Sequence, residues 1–319
     1  PRSPLFPYTT LFRSIRNRRD VLRDCLLRYA EQTHGDIELV VVDNGSTDGT
    51  PAMMAERFPD VVYRWMPDNI GPLALNLAAS LASGEFFWRT DDDAYPATPD
   101  TFERALAFFA RHPDVDVLAG EVVQLQGGYV ENWYPFDYDT VPDEGLPVHF
   151  FHGCAVMFRR NVFIEAGGFH DRFYNEEADL AARILALGNT IRYVPSIRAH
   201  HLGAFDRRYM SVRWLLMSRQ VVRFQFKYFP FWRAAGRSSV IAVVQIMLGL
   251  FHRFHPLVLL EGISGMMTSG LSARRTEFRV LTKEQLDRIT MGESQLRVSW
   301  RYLKSAVRRR TKTGQKQNP

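Results

Sequence analysis

Three consecutive aspartates, Asp91, Asp92 and Asp93, follow an apolar segment at residues 85–90. Neighbouring carboxylates repel one another, so such a run is favoured where a cation compensates the charge. If the backbone stays extended, Asp91 and Asp93 point in similar directions and can bind a hard divalent cation, Mg²⁺ or Mn²⁺. A solvated turn or a helix cap before Pro96 is the alternative interpretation of the same run.

The elements that must position these aspartates alternate between helix and strand. Apolar residues at helical spacing predict helices at 19–29, 50–58, 73–81 and 101–111. Short apolar runs predict strands at 37–42, 61–65, 85–90 and 115–119. This alternation predicts an α/β fold with a parallel sheet. Ligands of such sheets bind beyond the carboxyl ends of the strands, where Asp43 and the aspartate run both fall.

The second half of the chain is less regular. Residues 124–148 are rich in Gly, Pro and aromatic residues, which indicates long loops. We then expect strands at 150–159 and 191–194, and helices at 161–166 and 176–187. From residue 212 onward the pattern is helical and basic, and residues after 304 are expected to be disordered.

Charge is distributed unevenly along the 319 residues, whose formal net charge is +5. Residues 205–319 hold 22 Lys and Arg against 6 Asp and Glu, whereas residues 1–204 hold 18 against 29. A basic segment with interleaved Trp, Phe, Tyr and Leu suits anionic lipid headgroups, with nucleic acid as the other candidate. The high apolar share favours a membrane surface.

Several classes of protein are disfavoured by what the sequence lacks. The longest apolar stretch, 240–251, contains Gln245 and Gly249 and falls short of the roughly 18 residues of a spanning helix, so a buried or interfacial helix is expected. Cys25 and Cys154 are the only cysteines, so no disulfide framework is indicated and a reducing compartment is favoured. Neither a P-loop nor a G-x-G-x-x-G fingerprint is present.

Five segments in order carry a resemblance to a known family. They are VVVDNGSTDGT at 40–50, Asn69-Ile70-Gly71 with Asn76, the aspartate run, NEEADLAARI at 175–184, and the pair His200-His201. Each is common alone, but together they resemble family 2 glycosyltransferases over about residues 17–228. The resemblance implies an α/β GT-A fold with a mainly parallel sheet, followed by a helical basic C-terminal region. It also implies a rhamnosyltransferase-like enzyme of bacterial cell-surface polysaccharide synthesis.

The same resemblance implies roles for individual residues in binding a nucleotide-sugar donor. The implied donor-binding residues are Asn17, Asp43, Asn69, Gly71, Asn76, Asp91 and Asp92. For Asp43 the alternative is an Asx turn or a helix cap, and for Asn69 to Asn76 an ordinary loop entering a helix. The implied metal ligands are Asp93, Asp91 and His200, or His201 failing His200, with Mn²⁺ or Mg²⁺ as cofactor. Asp93 is the first choice for the metal.

The stretch at 175–184 resembles the one that supplies the catalytic base of this family. Glu177 occupies the base position, where relatives often have Asp, and would take the proton from the acceptor hydroxyl as it attacks the anomeric carbon. Glu176 and Asp179 are the competitors. Asp179 lies one helical step away and could equally be an N-terminal helix charge. One displacement implies an inverting transfer.

The resemblance and the charge pattern together set the expected partners and location. The acceptor would be a lipid-linked or polysaccharide hydroxyl, and the protein would be cytoplasmic, bound to the anionic inner face of the cell membrane. The loop aromatics Trp133, Tyr134, Phe136 and Tyr138 would either stack on sugar faces or pack internally. The alternative is a nucleotide- or nucleic-acid-binding module without transferase activity. The aspartate run disfavours nucleic acid, because it would repel a polyanion.

Three regions are expected along the chain: a non-native segment at 1–14, a GT-A domain at 15–230, and a membrane-associating region with a disordered tail at 231–319. The first region has three prolines in its first seven residues and no strand periodicity. We therefore expect the first strand of the domain to be missing or poorly formed, leaving residues 37–42 with unpaired backbone groups.

Overall fold

The computed structural model describes residues 9–131, 134, 136–170, 174–203 and 210–290, with side chains from Ile15 onward. These residues form two compact units. The first extends through Glu131 and resumes over Asp137–Gly203, and the second contains the helices after residue 203. The division falls earlier than the expected boundary at residue 230, because the helix before that point packs with the helices after it. The expected disordered tail lies outside the described residues.

The first unit alternates strands and helices. Its strands are β1 (Thr9–Ile15), β2 (Ile37–Asp43), β3 (Val62–Trp65), β4 (Phe86–Arg89), β5 (Ala94–Pro96), β6 (Val117–Gln124), β7 (Tyr129–Val130), β8 (Leu146–Pro147), β9 (Val156–Arg159) and β10 (Ile191–His201). Its helices are α1 (Arg19–Ala30), α2 (Thr50–Arg57), α3 (Leu73–Leu81), α4 (Thr101–Arg111), α5 (Arg160–Glu165) and α6 (Glu176–Ala186). A single 3₁₀ turn occupies Tyr138–Thr140 within the described part of the loop region.

All ten described strands form one mixed sheet in the order β3-β2-β1-β4-β9-β6-β10-β5, with β7 beside β6 and β8 beside β10. The run β3-β2-β1-β4 is parallel, as is the pair β6 and β10. Strand β9 is antiparallel to both of its neighbours, β4 and β6. The carboxyl ends of β1, β2 and β4 therefore meet at one edge of the sheet.

The sheet is held by helices that bury aromatic side chains against it. On α4, Phe102 and Phe109 are almost fully buried and contact Trp88 and Phe86 of β4, with ring centroids 5.3 and 4.8 Å apart. Burying a large aromatic side chain stabilises a fold by roughly 1.5–3 kcal/mol. These contacts fix β4, and with it the start of the aspartate run.

The prediction that the first strand is missing is wrong. Strand β1 pairs with β2 from Thr9 opposite Ile37 to Ile15 opposite Asp43, and with β4 on its other edge. A central strand is held by backbone hydrogen bonds on both edges, and these do not require alternating polar and apolar side chains. The sequence pattern therefore did not reveal β1. The origin of residues 1–14 stays a prediction, and residues 1–8 lie outside the described part.

Strand boundaries differ from the predictions mainly in the second half of the unit. Strand β6 extends to Gln124 and β10 to His201, because the two strands pair over most of their lengths around one irregularity. Strand β9 begins only at Val156, since the preceding residues form a turn. The longer β10 places both His200 and His201 in the sheet.

The second unit consists of α7 (Met210–Tyr228), α8 (Phe231–Phe251), α9 (Pro256–Thr276) and α10 (Lys283–Thr290). Glycines let the helices approach closely: a side chain at Gly262 would collide with Trp214, and one at Gly270 with Phe226. Among the described helices, α8 alone is long and apolar enough to cross a membrane, with a mean hydropathy of 1.6. Length and composition do not separate such a helix from the core helix of a soluble unit.

Candidate active site

The turn after β2 is organised by Asp43, which is fully buried. Its Oδ1 accepts a hydrogen bond from the Ser46 amide at 2.8 Å, and its Oδ2 accepts one from the Tyr63 hydroxyl. Burial and the neighbouring Asp43 raise the pKa of Tyr63, so the phenol stays protonated as the donor. Asp43 therefore organises the turn after β2 through the amide three residues on, and its contact with a nucleotide stays a prediction.

Two asparagines join this turn to its neighbours. The Asn17 side-chain oxygen accepts from the Thr47 amide at 2.8 Å, while the Asn17 amide donates to Ser46 Oγ at 2.8 Å. Asn44, which the sequence analysis missed, accepts from the Ile70 amide at 3.1 Å. The polar turns after β1, β2 and β3 thus form one connected surface.

The predicted donor-pocket residues Asn69, Gly71 and Asn76 have distinct contacts. The Asn69 side chain accepts from the Gly71 amide at 3.0 Å, and Gly71 has φ +60°, which favours glycine. Asn76 instead uses both ends of its amide on the Phe169 backbone, at 2.7 Å each. Asn76 therefore fastens α3 to the segment that precedes the acidic stretch.

The aspartate run lies against two side chains, Arg18 and His201. Asp93 is 7% exposed and lies 3.1 Å from His201 Nε2 and 3.1 Å from an Arg18 guanidinium nitrogen, and Arg18 also pairs with Asp92. Burial alone would raise the pKa of Asp93, but bonds to His201 and Arg18 and their charges lower it to about 2. The same pairing raises the pKa of His201 despite its burial. Part of the negative charge of the aspartate run is thus balanced by Arg18, a residue that the sequence analysis missed.

The structure brings His201, rather than the predicted His200, to the aspartates. Successive residues of a strand point to opposite faces, and on β10 it is His201 that faces Asp93. His200 packs edge-on against Tyr95, with ring centroids 5.5 Å apart. Burial, and then the charge of Arg28, lower the pKa of His200.

Asp91, Asp93 and His201 offer ligand atoms that all lie within 4.8 Å of one another. Two carboxylates and an imidazole form a donor set suited to a divalent transition metal, and the imidazole favours Mn²⁺ over Mg²⁺. Gln124 Nε2 lies 2.6 Å from His201 Nδ1, the ring nitrogen that is not next to Asp93, and this contact limits rotation of the imidazole. The residues present therefore fit a divalent cation.

A buried arginine, also missed from the sequence, connects the aspartate run with the acidic stretch. Arg89 ends β4, and its guanidinium lies 3.0 Å from Asp91 and 3.3 Å from Glu177. Burial alone would lower the pKa of Arg89, but the charges of Asp91 and Glu177 raise it. A single charged residue in the apolar segment Phe86–Arg89 was the signal that could have identified it.

The three acidic residues at the start of α6 have different surroundings. Glu177 faces Arg89, whereas Asp179 lies 3.1 Å from both Arg183 Nε and His170 Nδ1. Burial, and then the charge of Glu177, raise the pKa of Glu176 to about 8. Glu177 is thus the member of the stretch that is connected to the aspartate run.

The described aromatic residues of the loop region pack against other aromatic side chains of the protein. Tyr134 and Phe136 stack on each other at 5.3 Å, and Tyr138 meets Tyr193 at 5.4 Å. Trp133 lies outside the described residues. These pairs are the packing alternative, and a contact with sugar stays a prediction.

Sequence similarity to known proteins covers about half of the chain. Residues 14–167 match the family described as Glycosyl transferase family 2. A PGL/p-HBAD biosynthesis glycosyltransferase of Mycobacterium bovis is 32% identical over 163 residues, 48% of this chain and 59% of the relative. An N-acetylglucosaminyl-diphospho-decaprenol L-rhamnosyltransferase of Mycobacterium tuberculosis is 29% identical over 208 residues, 53% of this chain and 67% of the relative. The matched part thus spans little more than half of the first of these relatives.

Solved structures agree on the fold. The structure of S. aureus TarS 1-349 in complex with UDP-GlcNAc has a TM-score of 0.63 at 14% identity, covering 95% of this chain and 92% of that one. The mannosyltransferase PcManGT from Pyrobaculum calidifontis, in complex with GDP-Man and Mn²⁺, has a TM-score of 0.54 at 20% identity, covering 95% and 81%. Residues 14–167 therefore resemble glycosyl transferase family 2, and the fold is GT-A.

Proposed function

We propose that this protein transfers a sugar from a nucleotide-sugar donor to an acceptor hydroxyl, with inversion at the anomeric carbon. The observation that carries the proposal is the joining of two groups at one edge of the sheet. A metal-type cluster, Asp91, Asp93 and His201, is linked through Arg89 to a carboxylate, Glu177. Transfer to a hydroxyl needs these two functions: compensation of the diphosphate charge and removal of the acceptor proton.

In this proposal each residue has a defined part. Asp91, Asp93 and His201 would hold Mn²⁺ or Mg²⁺, and a bound cation would stabilise the departing nucleoside diphosphate. The turns organised by Asn17, Asp43 and Asn44 would line the nucleotide. Glu177 would accept the proton of the attacking hydroxyl in a single displacement, which inverts the configuration.

Two observations support a proposal for the acceptor: the name of a relative and the surface of the second unit. The mycobacterial rhamnosyltransferase is named for a polyprenyl-diphosphate acceptor, and we propose a lipid-linked or polysaccharide acceptor here. On α8 and α9 large apolar side chains are exposed, including Trp232 at 82% and Leu257 at 66%. With the basic residues of this half of the chain, they support reversible binding to the anionic inner face of the cell membrane.

A donor screen tests the proposal. Purified protein is incubated with Mn²⁺, a polyprenyl-diphosphate-sugar acceptor, and a series of UDP-, TDP- and GDP-sugars, and the released nucleoside diphosphate is measured. We expect release with one donor class, loss of release in excess chelator, and product of inverted anomeric configuration by NMR. Donor binding without release in any combination would instead favour a binding module without transferase activity.

A further inference from the structure

Arg89 is an unusual residue for its position. It lies on the central strand β4, and its side chain is only 7% exposed. Burying a guanidinium is unfavourable unless ionised partners compensate it. Its two partners, Asp91 at 3.0 Å and Glu177 at 3.3 Å, come from segments far apart in sequence. The ring of Phe169 lies 5.8 Å from the guanidinium carbon and limits its movement.

The two carboxylates are held by different nitrogens of the same guanidinium. Nη2 contacts Asp91, and Nη1 contacts Glu177. A guanidinium is a rigid planar fork, so contact with both groups sets the distance and direction between them. A lysine ammonium is a single point and cannot impose this geometry.

Gly153, in the turn before β9, provides the space that this arrangement requires. A Cβ added to Gly153 would coincide with Arg89 Nη1 and would lie 2.7 Å from Glu177 Oε1. Gly153 does not have a left-handed backbone conformation, so alanine is compatible with its φ. The absence of a side chain there serves the contact between Arg89 and Glu177 rather than the turn itself.

We propose that Arg89 is a positioning residue that holds the Glu177 carboxylate at a fixed place relative to the Asp91 side of the site, and that Gly153 makes this contact possible. The proposal rests on the transferase function proposed above. It assigns no bond-making step to Arg89, which acts through Glu177. A base displaced by about 1 Å can lower turnover by roughly 10²-fold.

The test uses Gly153→Ala and Arg89→Lys, with Gly35→Ala as the matched control because nothing lies within 4 Å of a Cβ at Gly35. Gly153→Ala keeps the arginine and its charge but forces the guanidinium to shift, because a Cβ there would lie 1.0 Å from Nη1 and 2.1 Å from the guanidinium carbon. We expect kcat to fall about 10- to 100-fold in both test variants. Donor affinity, measured by calorimetry, should stay within about threefold for Gly153→Ala, and the control should match the parent.

A double variant separates positioning from a general structural effect. If Arg89 acts through Glu177, adding Gly153→Ala to Glu177→Gln should lower the residual kcat by less than about twofold, because coupled residues are not additive. Full multiplication of the two effects, or parental kcat in both Gly153→Ala and Arg89→Lys, would overturn the proposal while leaving the transferase function intact. A parent protein without turnover on any donor would overturn both.

Discussion

Glu177 and Asp179 are expected to have different roles, so their isosteric variants should differ: one should lose turnover and the other stability. Glu177→Gln should lower kcat by roughly 10²-fold or more, the scale of a lost general base, with little effect on folding. The Glu177 side chain is 21% exposed and lies 3.3 Å from Arg89, and Arg89 keeps Asp91 as a partner when Glu177 is changed. Asp179→Asn should instead lower stability.

The loss of stability expected for Asp179→Asn can be estimated from the contacts of Asp179 and its partner. Its partner Arg183 is 5% exposed and also donates to the carbonyls of Ala166 and Gly168. Breaking a buried ion pair costs roughly 3–5 kcal/mol, and the remaining carbonyl contacts place this case near the lower end. For a unit of this size that corresponds to a fall in melting temperature of roughly 6–12 °C.

Melting followed by circular dichroism, and nucleoside diphosphate release at a temperature where both variants are folded, provide the two readouts. Each variant serves as the control for the other. If Asp179→Asn kept the parental melting temperature and lost turnover, while Glu177→Gln turned over within a few fold of the parent, the assignment of the base to Glu177 would be refuted.

Three further predictions concern the metal, the membrane and pH. Asp93→Asn should weaken Mn²⁺-dependent donor binding in calorimetry, and equal donor affinity in excess chelator would argue against a metal site. The chain should sediment with anionic liposomes and be released by salt, because surface charge is screened; salt-resistant retention would favour insertion of α8. Glu176 keeps its proton to about pH 8 in the folded protein, but to about pH 4.5 when unfolded, so its contribution to stability falls as pH rises through this range. Glu176→Gln should therefore raise the melting temperature more at pH 8 than at pH 5, and an equal gain at both would contradict the burial of an ionisable group.

Local pattern predicted the elements of the first half of the sheet well. The helices at Arg19–Ala30, Thr50–Arg57, Leu73–Leu81 and Thr101–Arg111 begin and end within about a residue of their predicted limits. Each has an apolar face whose spacing is readable within a single segment. Strand β1 was not predicted, because its place in the sheet comes from backbone pairing with two neighbours.

The sequence revealed which segments form the candidate site, but not which of their side chains contact one another. The aspartate run and the acidic stretch are visible in sequence, but the ion pair of Arg18 with Asp93 spans 75 residues and that of Arg89 with Glu177 spans 88. Such pairs depend on the tertiary fold and leave no local periodicity. The choice between His200 and His201 likewise depends on the register of β10, since a shift of one residue exchanges the two faces.

The placement of β9 between β4 and β6 also sets an order of events during synthesis. Once β4 has been made, strands β1 to β4 have all their parallel partners, whereas β6 depends on β9 and β10 and, locally, on the two-residue β7. Because β9 follows both β4 and β6 in the chain, its insertion between them comes only after both have been made. Only then does Gly153 come beside Arg89, and Glu177 is made later still. A ribosome that stalled before Val156 would leave the edge of β4 unpaired, and an unpaired apolar edge strand is a starting point for aggregation.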